Sequence, residues 1–294
     1  MKDHLDLKAY AKINLGLDVV RKREDGYHEV RMIMQTVNLY DRIEMDRTED
    51  GVIRTETNLP FVPDGEGNLA WRAAKLLLDE KGIKDGVTIK IRKYIPVAAG
   101  MAGGSTDAAA VLVGVNRMFD LGFTKKELME RGVKLGADVP YCIMRGTALS
   151  EGIGEILAPL QCHLVIAKPQ ISVSTKAVYG KLRVNELAPE EHPDIDGMMA
   201  AIKNGDLDGV IERLGNVLET VTVPDHPEIS EIKEIMVENG ACGSLMSGSG
   251  PTVFGIYKGR ELAEKACQAL READGGRLTR QVYLTEFYNR KKAR

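Results

Sequence analysis

The sequence predicts an α+β protein of two domains, on three observations. Its 294 residues are enough for one large or two medium domains. Segments with the two-residue period of strands alternate along the chain with segments of helical period. In the second half, the predicted elements follow the order β-α…α-β-β-α-β, which is typical of a split βαβ sandwich. Residues 159–161 are the best candidate for a boundary, so we expect domains over 1–158 and 159–294.

Over residues 7–81, the hydrophobic pattern predicts two strands, a loop and a helix. These cover residues 7–20 and 30–45 (strands), 48–67 (hairpin and loop) and 69–81 (helix). Asn68 is suited to cap the start of the helix and Gly82 to end it. The apolar stripe of this helix predicts packing against a core. Trp71 fits either the core or the border of a base pocket.

The remaining elements are predicted from the same two periods. Strands are expected over 87–94, 141–149, 163–168, 241–246, 252–257 and 281–287, and helices over 108–118, 125–135, 174–182, 227–239 and 259–273. The segment 193–221 carries short helical patterns.

Composition and charge argue against several classes of protein. The net charge of −3 gives no electrostatic reason to expect binding to nucleic acid or to an acidic membrane surface. No apolar run approaches the roughly 20 residues needed to span a bilayer, and the first residues lack the apolar segment of a secretory signal. The four cysteines are far apart and show no metal-ligand spacing. We therefore expect reduced thiols in a cytoplasmic protein.

A stretch of small residues between a predicted strand and a predicted helix is the strongest candidate for a binding site. It comprises Pro96, Val97, Ala98, Ala99, Gly100, Met101, Ala102, Gly103, Gly104, Ser105 and Thr106. Glycines let bare backbone approach a ligand closely, and the start of a helix offers unpaired N–H groups to an anion. The composition alone leaves two interpretations open, a cradle for a nucleotide triphosphate or a turn that only packs tightly.

Two common nucleotide motifs do not describe this stretch. No lysine precedes the hydroxyl residues Ser105 and Thr106, so it is not a Walker A element. Its glycines also lack the spacing of a dinucleotide fingerprint. A phosphate site here would rely on backbone amides and hydroxyls, and its lysine would have to come from elsewhere.

Five other polar residues, considered singly, fit either an ordinary structural position or a binding site. Lys12 and Asn14 would share one face of the first strand, either as a polar edge or as part of a cleft. Tyr27 and His28 follow a charged turn, where such a pair usually lies on the surface. Asp138, in a turn flanked by glycine and proline, is most often a turn former.

Several of these segments together resemble the superfamily of galactokinase, homoserine kinase, mevalonate kinase and phosphomevalonate kinase, the GHMP kinases. The stretch over 96–109 looks like the phosphate-binding motif of that superfamily, and Ser-Gly-Ser-Gly-Pro-Thr-Val-Phe over 247–254 looks like its C-terminal glycine motif. Ala-Lys-Ile-Asn-Leu over 11–15 and Arg-Glu-Asp-Gly-Tyr-His over 23–28 are similar to markers of one family within it, whose substrate is a CDP-linked methylerythritol. The segments 136–140 and 146–149 match that family too.

The resemblance extends from about residue 7 to residue 287 and implies the two-domain GHMP kinase fold. The N-terminal domain would be a ribosomal-protein-like α/β domain with the phosphate loop and the catalytic residues. The C-terminal domain would be a ferredoxin-like split βαβ domain. The implied reaction is ATP-dependent phosphorylation of the 2-hydroxyl of 4-diphosphocytidyl-2-C-methyl-D-erythritol, giving the 2-phosphate and ADP, in the non-mevalonate isoprenoid precursor pathway.

The same resemblance implies roles for single residues. Asp138 would accept or orient the alcohol proton, and Lys12 would hold the same oxygen. Backbone amides of residues 100–106 would cradle the phosphates, with Ser105 or Thr106 near a magnesium ion held largely by phosphate oxygens and water rather than by a set of protein ligands. The expected cofactors are therefore ATP and Mg²⁺.

Four residues are implied to bind the acceptor. His28 would read the edge of the cytosine, Tyr27 and Tyr179 would stack on its faces, and Asn14 would lie near the reacting carbon. The expected partner is this small molecule alone, with no nucleic acid and no membrane, and the chain would be a monomer or a homodimer.

Three positions depart from the pattern of the family. Tyr10 replaces a common proline, Ala137 a frequent serine, and Ile153 a residue that is often arginine or threonine. The alternatives are a GHMP kinase for homoserine or mevalonate, a catalytically silent sugar or nucleotide sensor, and an RNA-binding protein. The pair Tyr27–His28 argues against the first, intact Lys12 and Asp138 against the second, and the acidic balance against the third.

Overall fold

The computed structural model describes residues 2–24, 26, 28–150, 155–156 and 160–289. Contacts between Cα atoms divide the chain into two compact units. Unit 1 comprises Met1–Ala11, Leu39–Val97 and Ala102–Arg145, and unit 2 comprises Lys12–Asn38, Ala98–Met101 and Gly146–Arg294. The predicted domain boundary between residues 158 and 159 falls outside the described residues and stays a prediction.

Two long strands, β1 (His4–Lys22) and β2 (His28–Thr48), contribute residues to both units. Both extend beyond the strands predicted over 7–20 and 30–45. In unit 1, β2 pairs antiparallel with β4 (Gly86–Arg92), with Met45 opposite Ile89. Strand β4 also pairs in parallel with β3 (Ile53–Thr57), which lies inside the segment predicted as a hairpin and loop.

The described residues of unit 1 form the helices α1 (Leu69–Lys81), α2 (Gly103–Met118), α3 (Lys125–Gly132) and α4 (Val139–Met144). Helix α1 has the predicted bounds. The side chain of Asn68 accepts a hydrogen bond from the Ala70 amide, and Gly82 ends the helix in the left-handed region with φ of 63°. Trp71 is half-buried and donates from Nε1 to the Ile53 carbonyl at 3.0 Å, which fastens α1 to β3.

The strand predicted over 141–149 is wrong in its first half. Residues 139–144 form helix α4, and the strand that follows, β5, covers only Thr147–Ser150. Tyr141, Cys142, Ile143 and Met144 are all buried, so their sequence has no alternation that separates a helix from a strand. Pro140 decides the outcome, because the fixed φ of proline suits the first turn of a helix.

In unit 2, β5 pairs antiparallel with β2 and with β6 (Glu155–Ile156), while β8 (Gly215–Asn216) pairs in parallel with β1 at Gly16 and Leu17. A separate antiparallel sheet has the order β11–β7–β10–β9. Its strands are β7 (His163–Pro169), β9 (Gly243–Met246), β10 (Val253–Tyr257) and β11 (Thr279–Glu286). Strands β7 and β10, the first and third along the chain, occupy the two central positions of this sheet, as the predicted split βαβ arrangement requires.

The helices of unit 2 are α5 (Thr175–Lys181), α6 (Ile195–Lys203), α7 (Leu207–Ile211), α8 (Glu219–Asp225), α9 (Glu228–Glu238) and α10 (Arg260–Glu272). Helices α9 and α10 bury apolar residues in one core with the four-stranded sheet. This core includes Ile229, Ile232 and Met236 from α9, and Ala266 and Leu270 from α10. No helix within the described ranges is both long enough and apolar enough to cross a membrane.

Replacing Gly86 by alanine is expected to destabilise unit 1. A Cβ atom built at Gly86 overlaps the carbonyl oxygen of Val52 and lies 2.6 Å from its nitrogen, and backbone atoms cannot move aside as a flexible side chain can. We expect the free energy of unfolding to fall by about 1–3 kcal/mol.

Gly180→Ala is the matched control, because nothing lies within 4 Å of a Cβ at Gly180 in helix α5. This variant should be neutral or more stable by about 0.5–1 kcal/mol. Urea unfolding of both variants measures the difference, and equal stabilities would contradict the close approach of Gly86 to the Val52 backbone.

Candidate active site

Strand β1 presents Lys12 and Asn14 on one face, within unit 2. The Lys12 ammonium donates to Asn14 Oδ1 at 2.6 Å, and the two residues are only 5% and 0% exposed. Lys12 forms no ion pair with a carboxylate among residues 2–24, 26, 28–150, 155–156 and 160–289. Burial of a cation is costly unless an anion compensates it. A buried ammonium whose side-chain contact is a neutral amide is therefore suited to an anionic or polarised ligand.

The middle of the glycine-rich loop lies against the C-terminal glycine motif, also within unit 2. Ser247 Oγ donates to the Gly100 carbonyl at 3.1 Å and accepts from the Asn14 amide at 3.4 Å. Gly100 has φ of 71°, and a Cβ at this position overlaps the Ser247 carbonyl oxygen. The Met101 carbonyl accepts from the Lys12 amide at 3.3 Å. The two glycine motifs and the Lys12–Asn14 pair therefore form one constellation.

The end of the same loop is the start of helix α2, in unit 1. This helix begins at Gly103 and not at residue 108 as predicted, so residues 103–106 form its first turn. The first N–H groups of a helix have no partner inside the helix and attract anions. The N-cap residue Ala102 contributes no side-chain hydrogen bond that would occupy them.

The two hydroxyl residues of the loop differ in their availability to a ligand. Thr106 is 2% exposed, and its Oγ1 donates to the Tyr10 carbonyl at 2.7 Å. Ser105 is half-buried, and its hydroxyl has no hydrogen-bond partner in the described part of the chain. Of the two hydroxyl groups, that of Ser105 is therefore the more available to a ligand.

Asp138 occupies the N-cap of α4 in unit 1. Its carboxylate is half-buried and makes no capping hydrogen bond. Helix α4 packs against α2, and a Cβ at Gly136 lies 3.9 Å from Ser105 Oγ. The turn that carries Asp138 is thus adjacent to the start of α2. Lys12 belongs to the other unit, and the convergence of Lys12 and Asp138 on one oxygen stays a prediction.

His28 and Tyr179 contact each other in unit 2. Their ring centroids are 5.1 Å apart with an angle of 41° between the planes, and both rings are half-buried. Burial and the nearby Lys22 charge hold the pKa of His28 below its usual range. The imidazole is therefore neutral at pH 7 and has one N–H donor and one acceptor nitrogen. Tyr27 lies outside the described residues, as does Ile153.

Sequence reasoning missed two buried residues that support the loops. Asn216 donates from Nδ2 to the carbonyls of Met246 and Gly248, both at 2.8 Å, and so shapes the C-terminal glycine motif. It lies in a two-residue strand, which is too short to show any period. Lys93, at the end of β4, donates to Asp107 in α2 at 2.6 Å. Lys93 directly precedes the loop in the sequence, but no local pattern shows that its ammonium pairs with Asp41 and Asp107.

Burial shifts the pKa values of Lys93 and Asp107 in opposite directions. Burial disfavours the Lys93 ammonium, but the charges of Asp107 and Asp41 outweigh this effect and hold its pKa above the usual value. Burial also raises the pKa of Asp107 well above its usual range, against the attraction of Lys93. No group of three or more histidine, cysteine, aspartate or glutamate residues suited to a metal ion occurs among the residues that the structure describes.

Comparison with known proteins identifies the class of protein. Residues 68–146 match the family model described as the GHMP kinases N terminal domain, and residues 198–275 match the GHMP kinases C terminal model. The structure of a homoserine kinase from Cytophaga hutchinsonii has a TM-score of 0.77 at 20% identity, covering 98% of this chain and 96% of that one, and so shares the fold. The chain has the two-domain fold of the GHMP kinases.

More similar relatives narrow the assignment. A 4-diphosphocytidyl-2-C-methyl-D-erythritol kinase of Lachnospira eligens is 53% identical over 97% of this chain and 99% of its own, and one of Lachnoclostridium phytofermentans is 51% identical over 98% and 99%. A crystal structure of 4-(cytidine 5'-diphospho)-2C-methyl-D-erythritol kinase has a TM-score of 0.80 at 32% identity, covering 97% of this chain and 100% of that one. The chain belongs to the family of 4-diphosphocytidyl-2-C-methyl-D-erythritol kinases.

The contrast between Gly100 and Gly104 separates the two interpretations of the loop. A Cβ at Gly104 meets only Leu69 Cδ1 at 3.5 Å, which is ordinary contact, so packing does not require glycine there. If the loop cradles phosphates, Gly104→Ala should keep or raise the melting temperature while raising the KM for ATP by about tenfold or more, since the new methyl group occupies the approach to the helix N-terminus.

Gly100→Ala is the comparison variant, and its melting temperature should fall because of the overlap with Ser247. Thermal unfolding and steady-state kinetics measure both effects. An unchanged KM for ATP in Gly104→Ala would favour a loop that only packs.

Proposed function

We propose that this chain transfers the γ-phosphoryl group of ATP to the 2-hydroxyl of 4-diphosphocytidyl-2-C-methyl-D-erythritol, giving the 2-phosphate and ADP. The observation that carries the proposal is the buried Lys12 ammonium, which contacts the neutral Asn14 amide at 2.6 Å beside the two glycine motifs. Family membership, with relatives at about 50% identity over nearly the whole chain, supports the choice of acceptor.

The loop would bind ATP through backbone groups. Phosphoryl transfer requires mainly positioning and stabilisation of charge from the protein. The N–H groups at the start of α2 would donate hydrogen bonds to phosphate oxygens, and the Ser105 hydroxyl would hold magnesium together with phosphate oxygens and water. When bound, magnesium neutralises charge on the phosphates. The half-buried hydroxyl of Ser105, which has no partner among the residues that the structure describes, fits this role, whereas that of Thr106 is already bonded to Tyr10.

Lys12 and Asp138 would act on the acceptor hydroxyl. A tertiary alcohol is almost fully protonated at neutral pH, so a nearby base or cation is needed as the oxygen becomes a nucleophile. The Asp138 carboxylate, which makes no capping bond, would accept or orient the proton. The Lys12 ammonium would stabilise the charge that develops on the oxygen, and Asn14 would keep that ammonium in place.

His28 and Tyr179 would bind the cytosine of the acceptor. Neutral imidazole can donate to one polar atom of the base edge and accept from another, while the tyrosine ring offers an aromatic face. Tyr27 is proposed to stack on the base as well. A kinase for homoserine or mevalonate has no base to bind, so this ring pair favours the CDP-linked acceptor over those alternatives.

A comparison of acceptors tests the proposal. Purified protein with ATP and magnesium should release ADP with 4-diphosphocytidyl-2-C-methyl-D-erythritol and not with homoserine or mevalonate. Asp138→Asn should lower kcat by about 10²–10⁴-fold without changing ATP affinity, because it removes a base and not a phosphate contact.

Glu130→Gln is the control, since it changes an exposed carboxylate of the same unit in helix α3. ADP release with homoserine or mevalonate alone would refute the choice of acceptor. A normal kcat in Asp138→Asn would remove that residue from the proton transfer.

The lowered pKa of His28 predicts a pH dependence of acceptor binding. Burial and the Lys22 charge keep the pKa of His28 in the folded protein below its usual value. The ring is neutral above this pKa and becomes charged as the pH falls through it. The charged ring loses its acceptor nitrogen. The KM for the CDP-linked alcohol should therefore be constant near pH 7 and rise several-fold as the pH falls below the usual histidine value of about 6.5 and through the depressed pKa of His28, with little change in the KM for ATP.

His28→Gln provides the control, because an amide keeps one donor and one acceptor but does not titrate in this range. Its KM for the alcohol should be flat where that of the wild type rises. Identical pH profiles for the two proteins would exclude His28 as the titrating group.

A further inference from the structure

Three buried charged residues of unit 1 are not used by the proposed chemistry. Lys93 follows strand β4, Asp41 lies in strand β2, and Asp107 lies in helix α2. Their side chains are 4%, 0% and 6% exposed. The Lys93 ammonium donates to Asp41 Oδ2 in a very short contact and to Asp107 Oδ2 at 2.6 Å. One cation therefore joins two carboxylates inside the protein.

The two carboxylates are not equivalent. Asp41 Oδ1 also accepts from the amides of Tyr94 and Ile95, at 2.6 and 2.8 Å, so Asp41 accepts three hydrogen bonds. Asp107 accepts one from Lys93, and its Oδ1 is buried without a partner in the described part of the chain. Asp41 is thus the centre of this cluster, and Asp107 lies at its edge.

The cluster joins the two ends of the phosphate loop. Asp41 fixes the backbone of Tyr94 and Ile95, which lead directly into Pro96 at the start of the loop. At the other end of the loop, a Cβ atom built at Gly103 lies 3.4 Å from Lys93 Nζ. The ammonium is therefore adjacent to Gly103, the first residue of α2. Asn58 fixes the backbone of Lys93 through two further hydrogen bonds. Its Nδ2 donates to the Lys93 carbonyl, and its Oδ1 accepts from the Lys93 amide.

We propose that Asp41 and Lys93 are positioning residues for ATP, which set the distance between the last residues before the loop and the first turn of α2. This inference rests on the proposed function in that the loop is taken to bind ATP. The two residues touch no reacting atom. They act because N–H groups bind phosphates well only when their directions are fixed before the ligand arrives.

The inventory of hydrogen bonds predicts different effects for two chemically identical substitutions. In Asp41→Asn, the amide nitrogen must face either the Lys93 ammonium or the two backbone amides, and both are donors, so at least one contact is lost. In Asp107→Asn, the new amide oxygen still accepts the hydrogen bond from Lys93. This substitution also removes the repulsion between the carboxylates of Asp107 and Asp41. The first change should disturb the loop, whereas the second should not.

The experiment measures ATP binding by calorimetry with magnesium present and no acceptor, together with both KM values and the melting temperature. Asp41→Asn should weaken ATP binding by tenfold or more and raise the KM for ATP, while the KM for the CDP-linked alcohol changes less than twofold. Asp107→Asn should stay within twofold of the wild type in all these quantities. If Asp41→Asn does not fold, Lys93→Arg carries the test, since it keeps the charge but changes the length, and should weaken ATP binding at least fivefold.

Equal ATP affinities in wild type and Asp41→Asn, or equal losses in Asp41→Asn and Asp107→Asn, would overturn the inference. A parallel rise of both KM values would also overturn it, because a structural defect would affect both substrates. Absence of ATP binding by the wild-type protein would refute the proposed function and this inference with it. If the wild type binds ATP but the variants do not differ, only the inference fails.

Discussion

The backbone of Gly100 lies so close to that of Ser247 that no side chain fits between them. This contact brings together two segments that are 147 positions apart in the chain, and it carries a hydrogen bond from Ser247 Oγ to the Gly100 carbonyl. The same Ser247 hydroxyl accepts the amide of Asn14, whose side chain holds the Lys12 ammonium. The placement of the candidate catalytic lysine therefore depends on two glycine motifs that admit no Cβ at Gly100.

Two buried lysines differ in whether a carboxylate compensates their positive charge. Lys93 has two carboxylate partners, so its positive charge is compensated inside the protein. Lys12 has the Asn14 amide and no carboxylate among the residues that the structure describes. Because an uncompensated buried cation is costly, such a group persists where a ligand supplies the missing negative charge. The charge of Lys93 is thus compensated inside unit 1, whereas Lys12 remains the candidate for contact with the acceptor.

Much of the fold could be predicted from local signals. Asn68 and Gly82 bound helix α1 because capping is decided by the residues at the ends of a helix. The same local logic failed over 139–144, where four consecutive buried residues carry no period and Pro140 starts a helix. It also placed the start of α2 too late, because Gly103 and Gly104 read as loop residues although they form its first turn.

Candidate site residues could be named from the sequence where a motif marks them, and not where only tertiary contacts show them. Lys12, Asn14 and Asp138 lie in recognisable segments, but the roles of Thr106 and Asn216 appear only in their partners, Tyr10 and the Met246 and Gly248 carbonyls. Such long-range hydrogen bonds leave no local pattern in the sequence. They decide which hydroxyl remains available to a ligand and which backbone carbonyls of the C-terminal glycine motif are bonded.

The central claim is that Lys12 and Asp138 act on one hydroxyl group of the acceptor. A crystal structure of the protein with a non-hydrolysable ATP analogue and 4-diphosphocytidyl-2-C-methyl-D-erythritol tests it most directly. We expect Lys12 Nζ and a carboxylate oxygen of Asp138 both to lie within hydrogen-bond distance, roughly 2.6–3.2 Å, of the 2-hydroxyl oxygen. Either side chain bound to another part of the ligand, with the 2-hydroxyl beyond its reach, would contradict it.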